Sequence, residues 1–157
     1  MNDVNPDYVV VGEGKNYSLD TLTKATNLVL GGARLIGANS DVTGPVDGGI
    51  APACGALVSP IEMATGAHAY FCGKPNPLMM RTGLRLLNCH SADAVMVGDR
   101  MDTDVISGLE SGMSTVLVLS GVTSEAEIRT YAYKPTVVLN GVGDIVKMAV
   151  SSKKNKD

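Results

Sequence analysis

The sequence predicts an α/β fold built on a mostly parallel sheet. Two observations carry this. Short apolar runs of strand character recur along the chain, and most are separated by segments with helical spacing and helix-stop signals. Connections of that length suit right-handed βαβ crossovers, which lay successive strands parallel.

Each element has its own reason. Tyr8-Val9-Val10-Val11 reads as the first strand. Ser18 is placed to cap a helix from Leu19 to Leu30, with Leu22, Ala25 and Val29 on one face and Gly31-Gly32 as the stop. Arg34 to Ala38 is the second strand, and 39–49 reads as a loop rich in Asn, Asp, Gly and Pro. A helix is expected over Ala51–Thr65, kinked or shortened by Pro60 and ended by Gly66. Ala69 to Cys72 is a short strand. Asn76 and Pro77 open a helix to about Leu87, with Met80, Leu84 and Leu87 as its stripe. Ala94 to Val97 and Thr115 to Leu119 are buried strands, with a short helix from Val105 to about Gly112 between them. Ser124 and Glu127 have capping-box spacing for a helix to about Tyr131. Thr136 to Leu139 is the last strand, and a helix near 144–150 closes the pattern.

Composition excludes several classes. In 157 residues, 45% are hydrophobic and 18% charged, so a packed core is expected and disorder is not. With one Phe and no Trp, that core is aliphatic. The net charge of −3 and the absence of a basic face exclude a nucleic-acid footprint. The basic cluster Lys153-Lys154-Asn155-Lys156 reads as a frayed, solvated tail. No apolar run is long enough to cross a bilayer and no signal-peptide pattern opens the chain, so no membrane partner is expected. Cys54, Cys72 and Cys89 are odd in number and lack C-x-x-C spacing. They read as reduced thiols of a cytoplasmic protein.

The stretch Val95 to Asp104 carries the chemistry. A buried strand breaks at Gly98, and Asp99, Asp102 and Asp104 follow. Carboxylates at the carboxyl end of a parallel strand face the crevice where α/β proteins bind ligands. Hard oxygen donors there suit Mg²⁺, which takes one or two carboxylates and shares its other positions with water and phosphate. The competing reading is a set of helix-start acids favoured by the dipole. It accounts well for Asp102 and less well for an acid at the strand end.

Other signals are weaker. Gly12-Glu13-Gly14-Lys15 follows a strand but matches neither phosphate-loop template, and reads as a turn. No glycine-rich fingerprint supports a dinucleotide site. His68 and His90 read as surface or half-buried residues, and the methionines as core filler.

Four pieces together resemble the haloacid dehalogenase superfamily, in its NagD-like and 4-nitrophenylphosphatase-like branch. They are Gly32-Ala33-Arg34-Leu35-Ile36-Gly37-Ala38-Asn39-Ser40-Asp41, Gly73-Lys74-Pro75-Asn76-Pro77, Val97-Gly98-Asp99 with Thr103-Asp104, and Thr115 to Val122. The resemblance implies a three-layer α/β core with the last part of a cap: residues 1–38 in the cap, 39–150 in the second half of the core, and 151–157 as a disordered tail. It implies a Mg²⁺-dependent phosphatase that hydrolyses small phosphomonoesters, such as sugar phosphates, nucleotides or phosphoglycolate, through an aspartyl-phosphate. Lys74 matches the family's charge-neutralising lysine. Asp99 matches the acidic metal ligand, and Asp104 the second acid, which holds the metal's water or orients the lysine. Asn39 and Asp41 fall where the family's chain returns from cap to core, and a substrate contact and a simple turn are equally good readings there.

One departure matters. The family's nucleophile sits on an Asp-x-Asp-Gly loop, and none occurs before Lys74. The chain is therefore expected to be the carboxyl-terminal portion of a longer phosphatase, inactive alone. The alternative is a non-catalytic module acting by binding or assembly. The missing central strand implies a homo-oligomer or a complementary amino-terminal fragment as partner, beside the small phosphorylated metabolite.

Overall fold

The computed structural model describes residues 4–14 and 17–147. The basic cluster, the expected tail 151–157 and the end of the expected last helix lie outside them. The chain divides into two compact units, Met1–Gly73 and Lys74–Asp157.

The first unit holds a parallel sheet of order β1 (Tyr8–Val11), β2 (Arg34–Gly37) and β5 (Tyr70–Phe71). Helix α1 (Leu19–Leu30) starts where its capping residue predicts: the Ser18 hydroxyl accepts from the Thr21 amide, and the Thr21 hydroxyl accepts in return from the Ser18 amide. Val29 is buried in a core with Val9, Val11, Leu35, Val58 and Ile61, and Leu22 and Ala25 pack against it. Residues 39–73 share this unit with residues 4–38, because β5 pairs with β2 and α2 (Cys54–Thr65) packs on β1 and β2.

Two expectations here need correction. The segment read as loop and helix start is an antiparallel hairpin, β3 (Thr43–Val46) and β4 (Gly49–Pro52), and α2 begins only at Cys54. Its turn is Asp47-Gly48, with Gly48 at φ +82°. Asp-Gly between paired residues is a strong hairpin signal, but here it is masked by Gly44, Pro45, Gly49 and Pro52, which strands disfavour. Pro60 lies inside α2, which runs on to Thr65 and ends at Gly66 in the left-handed conformation.

The second unit holds a parallel sheet of order β6 (Val95–Gly98), β7 (Ser114–Val118) and β8 (Val137–Leu139). Helix α3 (Pro77–Leu87) is capped by Asn76, whose side chain accepts from the Leu78 amide. Of its expected stripe, Met80 and Leu84 are half-buried, while Leu87 is 74% exposed. A single π-helical turn (Met101–Val105) precedes the short α4 (Ile106–Glu110). Gly108 lets α4 approach the sheet, since a Cβ there would press into Thr115 and Met96. Met101, Val105 and Leu117 form the buried core, with Leu109, Leu119, Ile128, Tyr131 and Tyr133 packed around it. The Ser124–Glu127 capping box forms, but α5 (Glu125–Ile128) stops short of Tyr131.

Candidate functional site

The site is built at the carboxyl end of β6. The strand ends at Gly98, where a Cβ would collide with the Asp104 carboxylate. Asp104 is 3% exposed, and both of its carboxylate oxygens accept hydrogen bonds from protein groups. Its Oδ2 accepts from the backbone amides of Asp99 at 3.0 Å and Arg100 at 3.1 Å. Its Oδ1 accepts from Lys74 Nζ at 2.6 Å. A buried carboxylate is tolerable only when its lone pairs are met in this way. Lys74 keeps 39% of its side chain exposed while its ammonium is anchored on Asp104.

The π-helical turn aims this carboxylate. The Asp104 and Val105 amides both donate to Arg100 O, at 3.1 and 3.0 Å, which rotates Asp104 beneath the strand end. Such turns recur at functional sites. The Tyr133 hydroxyl donates to Met101 O at 2.9 Å. Burial pushes that hydroxyl's pKa up, so it stays protonated and able to donate. Asp102 is taken up locally: Arg100 Nε and Nη2 donate to its two oxygens at 3.0 and 2.8 Å. These bonds hold the Asp102 carboxyl below the usual carboxylate range. The helix-start reading fits this residue.

Asp99 is held differently. Its Oδ2 accepts from the Val122 amide at 2.8 Å, and its carbonyl accepts from the Thr123 amide at 3.0 Å. Gly121 lies so close that a Cβ there would overlap the Asp99 side chain. Asp99 Oδ1 takes no hydrogen bond among the described residues. The structure therefore brings Lys74, Asp99 and Asp104 together and leaves one carboxylate oxygen available.

Asn39 and Asp41 belong to the first unit. Asn39 Oδ1 accepts from the Asp41 amide at 3.1 Å, the local turn expected of such a residue, and its Nδ2 donates to Glu13 at 3.2 Å. Asp41 Oδ1 is buried without a partner. The Gly12 turn is closed by the Tyr17 hydroxyl, which donates to Gly12 O at 2.6 Å. His68 and His90 are exposed, and the three cysteines are free. Val122, Thr123, Arg100 and Tyr133 were not singled out by sequence reasoning. The Asp99–Val122 spacing gives no local signal, since only parallel pairing of β6 and β7 places those two loops side by side.

A family model described as HAD-hydrolase-like matches residues 71–145, which include all three residues of this cluster. The chain belongs to the haloacid dehalogenase-like hydrolases. Within them its similarity runs to the NagD-like branch. It is 54% identical over 145 residues to a dihydroxyacetone phosphatase of Corynebacterium glutamicum, covering 92% of this chain and 53% of that protein. It is 41% identical over 145 residues to the ribonucleotide monophosphatase NagD of Escherichia coli, covering 92% of this chain and 57% of that protein. A crystal structure of a 4-nitrophenylphosphatase from Thermotoga maritima superimposes with a TM-score of 0.88 at 32% identity, covering 94% of this chain and 57% of that one. The chain thus spans about half the length of the curated relatives it matches.

Proposed function

We propose that this chain carries the lysine and metal-holding part of a phosphatase acting on small phosphomonoesters through an aspartyl-phosphate. One observation carries the reading: Asp104 fixes Lys74 and the end of β6 with both its oxygens, while Asp99 keeps Oδ1 open. The names of the relatives, all phosphatases of small molecules, support the substrate class.

The donor set fits Mg²⁺ as a partial shell. Among the described residues no group of three or more His, Cys, Asp or Glu gathers to hold a metal. Mg²⁺ needs only one or two carboxylates when water and phosphate fill the rest. Asp99 Oδ1 is the direct donor in this reading. Asp104 holds the metal's water or orients Lys74, with which its Oδ1 is paired. When bound, Mg²⁺ would neutralise charge on the phosphoryl group. Lys74 would add a second positive charge to neutralise the phosphoryl oxygens. In this reading residues 1–38 belong to the cap and residues 39–150 to the second half of the core. Asn39 and Asp41 are proposed substrate contacts. The described helices include none long and apolar enough to cross a membrane, which accords with a cytoplasmic setting.

No aspartate in the sequence matches the nucleophile, so in this reading turnover needs a complementary segment. That same gap favours the second reading, a module that binds without catalysis.

A magnesium titration followed by amide NMR tests the proposal. Saturable shifts are expected around 98–101 and 120–123, with a dissociation constant of about a millimolar or weaker for so incomplete a shell. The Asp99→Asn variant should lose them. Tight stoichiometric binding, or shifts that persist in Asp99→Asn, would overturn the assignment.

A further inference from the structure

The loop after β7 does more than connect. Its residues make three hydrogen bonds to the segment after β6: Val122 N to Asp99 Oδ2 at 2.8 Å, Thr123 N to Asp99 O at 3.0 Å, and Met101 N to Thr123 Oγ1 at 3.2 Å. The last is a cap supplied from another loop. Met101 opens the π-helical turn, its amide has no partner within that turn, and the residue is fully buried. An orphaned buried amide is costly, so the Thr123 hydroxyl ties the two loops at a point where neither can easily let go. Thr123 itself is 7% exposed.

From this we infer that Thr123 is a positioning residue for Asp99. It sets which carboxylate oxygen is consumed by the protein and which is offered to a ligand. With the Thr123 hydroxyl on Met101 and its amide on the Asp99 carbonyl, the preceding Val122 amide is delivered to Oδ2. Oδ1 is left facing outward. The absence of a side chain at Gly121 makes room for this closeness. The inference rests on the reading of Asp99 as the metal-holding carboxylate. It goes beyond it by assigning the selection of one oxygen to a hydroxyl that touches neither metal nor substrate. Such outer partners typically change metal affinity by about ten- to a hundredfold when removed.

The test uses Thr123→Val, which keeps the shape and removes the hydroxyl, and Thr123→Ser, which keeps the hydroxyl. Two readouts are taken on each folded protein: hydrogen exchange at the Val122 and Leu117 amides, and the magnesium titration of the 98–101 amides. Thr123→Val is expected to speed Val122 exchange about tenfold or more while Leu117, in the middle of β7, changes little. It is expected to weaken magnesium about tenfold, with Thr123→Ser close to the parent in both. Exchange at Val122 unchanged in Thr123→Val, or Val122 and Leu117 accelerated equally, would overturn the inference. Equal acceleration would mean that the hydroxyl only stabilises the unit. If the parent shows no magnesium response at Asp99, the metal reading falls, and the exchange data alone decide whether Thr123 positions the carboxylate.

Discussion

Replacing Asp104 by alanine is expected to destabilise the second unit by about 3 kcal/mol or more. The substitution removes the acceptor for two backbone amides, at Asp99 and Arg100, and for the Lys74 ammonium. Lys74 can turn its charge to water, because its side chain is 39% exposed. The two amides are part-buried, and a buried donor left unmet costs about 1–3 kcal/mol. Lys74→Met should cost less, on the order of 1–2 kcal/mol, since the carboxylate keeps its two amide bonds. Loss of several kcal/mol is a large share of the stability of an ordinary domain. Urea unfolding followed by amide signals of β6 and β7 separates the two variants. The order Asp104→Ala worse than Lys74→Met is expected. An Asp104→Ala protein within about 1 kcal/mol of the parent would show that Asp104 is not the anchor.

The second large effect concerns assembly. β6 pairs with β7 and with no other strand among the described residues, so its far edge carries unmatched backbone donors and acceptors. Val95 and Val97 on that strand are 56% and 38% exposed. Such an edge takes up another strand when one is available. Tyr8–Val11 is engaged with β2. The purified chain is expected to self-associate through β6 of a second copy, with its scattering mass rising with concentration. Val95→Lys combined with Val97→Lys should return it to a monomer. β1 is also an edge strand, with Val10 at 69% exposure, and Val10→Lys is the control. A parent that stays monomeric at high concentration, or one made monomeric only by Val10→Lys, would contradict the assignment to β6.

How much of this was legible in the sequence depends on how far apart the deciding residues lie. Elements with local signals appear where expected: the Ser18, Asn76 and Ser124 side chains each cap a helix by accepting from a backbone amide of its first turn. The Gly98–Asp104 segment also announced itself, as a strand end followed by acids. The hairpin at 43–52 did not, because Asp47-Gly48 sits among residues with poor strand propensity. Within the site, the residue types were readable and their division of labour was not. Which oxygen of Asp99 is consumed depends on Val122, which lies 23 positions away and is brought near only by parallel strands. That Asp104 faces Lys74 and two amides depends on one π-helical turn, which no residue in Met101–Val105 signals by type.

The account is tested most directly by assaying the purified chain alone against 4-nitrophenyl phosphate with magnesium, beside its Asp99→Asn variant. The chain holds Lys74, Asp99 and Asp104 but no aspartate matching a nucleophile placed in line with the ester, which this chemistry requires. The expected result is no turnover above the uncatalysed rate for either protein. Turnover by the parent that survives purification and disappears in Asp99→Asn would contradict the account, because it would mean that this chain supplies its own nucleophile.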